Sequence, residues 1–262
     1  MLLLPQKPKI IEHDGARAVV EINELYPGYG ATIGNALRRI LYSSLPGAAI
    51  TRAKFEGVPH EFSTLPGVLE DVLEISLNLK QIRLILHGDE PQTLKLKVKG
   101  NKEVTAKDIE TPSQVEIVNL DAHIATLTAS NSTLIAEFTV ERGMGYVQAD
   151  AVEREKKEIG VLYLDAAFSP IVRVNFEVQD MRVGDRTDYN RLHLEIITDN
   201  TISPEDAYEQ SVKVLSDQFG KIGELEGKPQ KTAAKKATAK KATSKSGKAA
   251  SRKIKKLTGK KK

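Results

Sequence analysis

The chain has 262 residues, 40% hydrophobic and 5% aromatic, which suffices for a buried core in one large domain or two modest ones. It holds no cysteine, which excludes disulfides, thiolate metal sites and cysteine nucleophiles. The net charge of +4 averages two unlike parts: residues 228–262 carry 14 Lys and one Arg without an acid, and taking those 15 from the 39 basic residues leaves 24 against 35 acidic ones, a net of −11 for the body.

The chain opens on MLLLP, where Pro5 ends a leucine run too short for a signal-peptide core. No stretch approaches the roughly 20 apolar residues that span a bilayer. The expectation is a cytoplasmic protein. Alternating apolar and polar residues predict strands at Ala18–Ile22 and Ala49–Phe55, and then at Leu94–Lys99, where Leu94, Leu96 and Val98 alternate with lysines. Further strands are predicted at His123–Leu127, Leu134–Val140, Val161–Leu164, Ile171–Val178 and Leu192–Ile197. Helical periodicity appears in three places: Asn35–Ser44, Val68–Gln81 and a segment from Ser203. Strands outnumber helices and do not alternate with them one for one, so the fold class is α+β rather than a doubly wound sheet.

The last helix has Ser203 to cap it, Pro204 at its first position and Asp206 three residues after the cap. Its apolar residues Tyr208, Val212, Leu215, Phe219 and Ile222 form a narrow seam. Such a seam suits packing along another helix, possible between subunits, or lying on the chain's own sheet.

Between the first two strands stands GYGATIGNALRRIL, residues 28–41. Its glycines Gly28, Gly30 and Gly34 could cradle a nucleotide phosphate, with Glu56 at the end of the next strand as the ribose acid. Against this, about five irregular residues separate strand from glycines, the helix is only about ten residues long, and no second βαβ unit follows. At about 100° per residue, Ile33, Leu37, Ile40, Leu41 and Ser44 share a buried face. Asn35, Arg39 and Tyr42 lie opposite with Arg38 beside them, and Arg and Tyr are typical of protein–protein contacts. The glycines then serve close packing of the backbone. The five histidines are scattered without metal-ligand spacing, and Glu70, Asp71 and Glu74 read as a solvated helix face.

GATIGNALRRILYSSLPGAAI resembles the hallmark segment of the bacterial RNA polymerase α-subunit family. The resemblance continues in family order through residues 57–80, RGMGYV (Arg142–Val147), residues 159–178, residues 185–196 and TISPEDA (Thr201–Ala207). It implies a homodimer that scaffolds the β and β′ subunits of DNA-directed RNA polymerase and does no nucleotidyl transfer itself. It implies no cofactor on this chain, the polymerase magnesium being held by another subunit, and a nucleoid-associated place in the cytoplasm. A dimerisation subdomain would combine residues 1–47 with 171–227, and residues 48–170 would form an inserted, mostly β subdomain. Contacts with β would fall on Asn35, Arg38, Arg39, Tyr42 and Lys80. Phe168, Ser169, Pro170 and Arg173 would face β′, and Leu37, Ile40, Leu41, Tyr208, Val212, Leu215 and Phe219 would form the dimer interface. Members of the family usually continue into a helical DNA-binding domain. Here the sequence runs into the lysine-rich segment 228–262, expected to be disordered and to attract DNA phosphates weakly.

Overall fold

The computed structural model describes residues 4–149 and 160–224. The lysine-rich segment and the expectations attached to it lie outside the described residues. Fifteen strands, three α-helices and a short 3-10 helix at Ala106–Asp108 are found among the described residues. The first part holds β1 (Lys9–Asp14), β2 (Arg17–Leu25), α1 (Tyr29–Ser43), β3 (Pro46–Phe55) and α2 (Val72–Leu79). Then come β4 (Leu84–Leu86), β5 (Gln92–Lys99), β6 (Lys102–Thr105), β7 (Ile109–Glu110), β8 (Val115–Ile117), β9 (His123–Leu127) and β10 (Thr133–Met144). The chain closes with β11 (Tyr146–Val147), β12 (Val161–Tyr163), β13 (Ala166–Ala167), β14 (Ile171–Val183), β15 (Arg186–Thr198) and α3 (Pro204–Gly223).

Every strand pairing is antiparallel, so the fold is α+β with no βαβ unit among the described residues. A four-stranded sheet runs β1-β2-β15-β14. A larger sheet runs β7-β5-β10-β3-β4-β8, with β12 also on β3. Leu94, Leu96 and Val98 of β5 face the core beside Phe138, Ala136 and Leu134 of β10, as their alternation predicts, and Lys95, Lys97 and Lys99 stay in water.

Two hydrophobic clusters follow the two sheets. One joins Val20, Ile22 and Leu25 of β2 with Leu37 and Leu41 of α1, Leu192, Leu194 and Ile196 of β15, and Ala207 of α3. The other lies wholly between Ile50 and Leu164 and centres on residues such as Phe138, Leu96 and Ile75. The chain crosses between them at Pro46–Gly47 and again at Phe168–Ile171.

Helix α2 is shorter than the periodicity predicts. The Leu69 N–H donates to the Thr126 carbonyl and Val68 bridges Leu127, so these residues serve as sheet edge. Asp71 then caps α2 by accepting the Glu74 N–H at 2.7 Å. Glu70 corrects the reading of a solvated acidic face, because it is buried. Its carboxylate accepts from the Thr126 N–H at 2.6 Å, the Thr126 hydroxyl at 2.9 Å and His123 Nε2 at 3.0 Å. His123 Nδ1 lies 2.9 Å from Glu103, so the imidazole sits between two carboxylates.

Burial alone would lift Glu70 and lower His123, but the hydrogen bonds win: Glu70 is held below the usual carboxylate range and His123 is raised. A raised histidine contributes stability that is full below its unfolded pKa of about 6.5 and is lost as pH rises through the folded value. A depressed Glu70 contributes above its unfolded value and is lost on acidification. The thermal midpoint of His123→Gln should therefore lie below that of the parent at pH 6, with the gap closing towards pH 9. An equal gap at both pH values would mean that His123 carries no charge in this clamp.

Candidate functional site

Helix α1 begins six residues earlier than its periodicity predicts. Gly28 takes the left-handed cap position, with φ of 85°, and its N–H donates to Asn190 Oδ1 at 2.8 Å. Tyr29 and Gly30 in the first turn have weak helix propensity, so tertiary packing sets this end. A Cβ on Gly30 would stand 2.7 Å from Val178, and one on Gly34 would stand 2.6 Å from the Phe176 ring. Both glycines are missing side chains that let α1 lie directly on β14.

This changes the ground for rejecting a phosphate loop. Strand β2 reaches Leu25 and α1 has 15 residues, so the expected irregular gap and short helix are both absent. The topology decides instead. Strands β2 and β3 flank α1 but belong to different sheets, so no parallel crossover exists to seat a dinucleotide.

The contact with β14 follows one ridge of α1, with residues four apart. Gly30 meets Val178, Gly34 meets Phe176, the Arg38 guanidinium lies 5.0 Å from the Phe176 ring centre, and the Tyr42 hydroxyl accepts the Val174 N–H at 2.7 Å. Arg38 and Tyr42 are thus on the flank that meets the sheet, rather than facing away from it. The neighbouring ridge, Ala31, Asn35, Arg39 and Ser43, is exposed throughout. On it the Asn35 amide donates to Ala31 O at 2.9 Å and the Ser43 hydroxyl to Arg39 O at 2.8 Å. The Arg39 guanidinium has no hydrogen bond or ion pair among the described residues. It is the one charge on that ridge.

The remaining expected contacts divide by burial. Lys80 Nζ pairs with Asp165 Oδ2 at 2.9 Å. The Ala149 N–H and then Lys80 hold Asp165 below its ordinary range. Beside Lys80, α2 shows a second apolar side: Leu73 and Leu77, spaced by four, are exposed, as are Leu69 and Phe62 in the chain before the helix, while Val72, Ile75 and Leu79 fill the core. A helix apolar on both sides signals that the second needs a partner, and the sequence pattern Leu69–Leu79 carried that signal.

Phe168 and Pro170 are buried, Ser169 is half-buried and accepts the Ile171 N–H at 3.4 Å, and only Arg173 is exposed. Leu37 and Leu41 are consumed by the chain's own core, being 2% and 0% exposed. Tyr208 and Leu215 pack partly against that core, Ile40 is half-buried, and Val212 and Phe219 are exposed. Helix α3 thus uses both arrangements left open by its seam, since it packs on α1 and touches the sheet within one chain. Among the described residues no group of three or more His, Asp or Glu could hold a metal ion. No described helix is long and apolar enough to cross a membrane.

A family model described as the RNA polymerase Rpb3/RpoA insert domain matches residues 53–169. The DNA-directed RNA polymerase subunit alpha of Symbiobacterium thermophilum is 50% identical over 218 residues, covering 82% of this chain and 69% of that one. The chain belongs to the bacterial RNA polymerase α-subunit family. Further α subunits agree: that of Carboxydothermus hydrogenoformans is 49% identical over 80% of this chain and 67% of its own length. That of Lawsonia intracellularis is 52% identical over 76% of this chain and 57% of its own. As an α subunit the protein is part of the transcribing enzyme, DNA-directed RNA polymerase.

Proposed function

We propose that this α subunit is the non-catalytic scaffold of the polymerase, dimerising through α1 and α3 and offering outward surfaces to the two large subunits. The observation that carries the reading is Arg39, an exposed guanidinium without a partner on a helix seated firmly on its sheet. Arginine presents five donors in a planar fork suited to carboxylate and backbone acceptors of a partner, and it is frequent among interface hot spots. Asn35 and Ser43 flank it on the exposed ridge, making one docking face for β, while Tyr42 holds the end of the helix to β14.

Lys80 and the exposed Leu69, Leu73, Leu77 and Phe62 form a second surface for a large subunit. Arg173, exposed where Phe168 and Pro170 are buried, is the group available to β′ in that region. For dimerisation the exposed Val212 and Phe219, with Ile40, Tyr208 and Leu215 behind them, supply the apolar surface. The two hydrophobic clusters favour a division into residues 1–47 plus 171–227 and an insert of 48–170. Catalytic magnesium belongs to another subunit in this reading, and DNA meets the assembled enzyme.

Arg39→Ala is expected to leave the dimer and its thermal midpoint unchanged while cutting capture of the β subunit by roughly thirtyfold, the loss of about 2 kcal/mol at a hot-spot arginine. Co-purification of β with tagged α at graded concentrations measures this. Undiminished capture, or a dimer that falls apart, would remove Arg39 from the docking role.

A further inference from the structure

We infer that Arg38 is a positioning residue: by stacking on Phe176 it pins the outer flank of α1, whose inner face Leu37 and Leu41 already hold, and so sets how Arg39 is presented. The inference rests on the docking reading above for its consequence, though not for its geometry. Adjacent helix residues lie about 100° apart, so one arginine of the pair can face the partner only if the other is turned aside.

Three observations place Arg38 on the inner side of that division. Its guanidinium lies 5.0 Å from the Phe176 ring centre, within cation–π range. Its Nη2 donates to Asn35 Oδ1 at 3.0 Å, tying it back to its own helix and orienting the amide beside Arg39. The same Phe176 ring closes against the backbone of Gly34, where a Cβ would come within 2.6 Å, so ring and helix are already in register before the arginine adds its stack.

Tyr42 acts one turn further along the same ridge. β14 is an edge strand, and the Tyr42 hydroxyl takes up the Val174 N–H at 2.7 Å. Gly30, Gly34, Arg38 and Tyr42 therefore form one continuous seat, and the exposed ridge of Ala31, Asn35, Arg39 and Ser43 is its geometric consequence. Arginine at 38 suits this role because it reaches the ring with a flat cation and still donates to Asn35.

The absence of native cysteine permits a test that does not depend on a partner. In the full chain, thiol labelling of Arg39→Cys reports how position 39 is presented. Adding Arg38→Ala should slow labelling by about twofold or more, since the flank of α1 beside Phe176 is then free to tilt and brings position 39 closer to the sheet edge. Adding Arg38→Lys, which keeps a cation over the ring, should restore most of the rate. Capture of the β subunit gives the functional readout. Arg38→Ala and Phe176→Leu should each weaken it by about fivefold, and the double variant should be no weaker than either single one.

Two results would overturn the proposal: an unchanged labelling rate, or an Arg38→Ala loss as large in the Phe176→Leu background as in the parent. The second would make Arg38 a direct contact. Undiminished capture by Arg39→Ala would instead sink the docking reading, leaving the labelling experiment to decide the positioning role by itself. Circular dichroism of each variant guards against a loss caused by unfolding.

Discussion

Gly47→Ala is expected to lower the thermal midpoint by roughly 6–12 °C, the equivalent of about 3 kcal/mol in a domain of this size. A Cβ on Gly47 would stand 1.9 Å from the Phe168 carbonyl oxygen, and a backbone atom cannot swing aside as a side chain can. Gly47 pairs across the sheet with Gly143, whose own missing Cβ leaves room for the Phe168 ring at 2.7 Å. The Phe168 N–H in turn donates to the Gly145 carbonyl at 2.8 Å. The ring and backbone of Phe168 thus fill a slot made by two glycines at the point where the chain passes from one hydrophobic cluster to the other. Filling the slot would displace the start of β3 and the approach to β14 together.

Differential scanning fluorimetry on the purified chain measures the shift. Gly220→Ala is the matched control: it lies in an exposed stretch of α3 with nothing within 4 Å of the added Cβ. Removing a glycine there should stabilise by up to about 1 kcal/mol through helix propensity. A Gly47→Ala midpoint within about 2 °C of the parent would mean that the 168–170 backbone moves freely and that the slot exerts no constraint.

This slot shows where sequence reasoning stops. Local patterns were legible: LKLKVK alternates as a half-buried strand must, and Ser203-Pro204 announces α3 through capping chemistry that acts within one turn. Contacts between distant segments were not. Nothing near Gly47 in the chain announces that Phe168 will lie against it. Strand β1 escaped notice because all six of its residues are exposed, and it is held by pairing with β2 rather than by an apolar face.

The helical wheel of α1 was right about Leu37 and Leu41 as buried residues and about Arg39 as an exposed one. It could not tell which flank meets β14, because a wheel has no knowledge of the neighbouring strand. Phe176 and Val174, some 130 residues away, separate Arg38 and Tyr42 from Arg39 and Asn35. Glu70 was misread for the same reason, its partners being Thr126 and His123 on β9.

The double variant Phe219→Ser, Ile222→Ser is expected to turn the dimer proposed above into a monomer. The first half of α3 is anchored in its own chain by Pro204, Ala207 and Ser211, all buried. Residues 216–223 are exposed throughout, and within them Phe219 and Ile222 are 63% and 71% exposed. Two turns of helix with apolar residues in water are not stable by themselves, so something must cover them. A second copy suits them, since an isologous contact buries each residue twice and continues the α1–α3 packing already present within one chain.

Four such side chains at about 1.5 kcal/mol each amount to roughly 6 kcal/mol, or about 10⁴-fold in the dimer dissociation constant. Sedimentation velocity at micromolar concentration separates the two states. The folded body should survive, because neither side chain belongs to its core, while helix content falls slightly as the end of α3 frays. Asp217→Ala, exposed on the same helix and away from the apolar seam, should leave the dimer intact. A double variant that still sediments as a dimer would move the interface off α3, and a parent chain that is monomeric would remove it altogether. Loss of the dimer should also abolish joint recovery of both large subunits with tagged α, since each copy then offers its docking face alone.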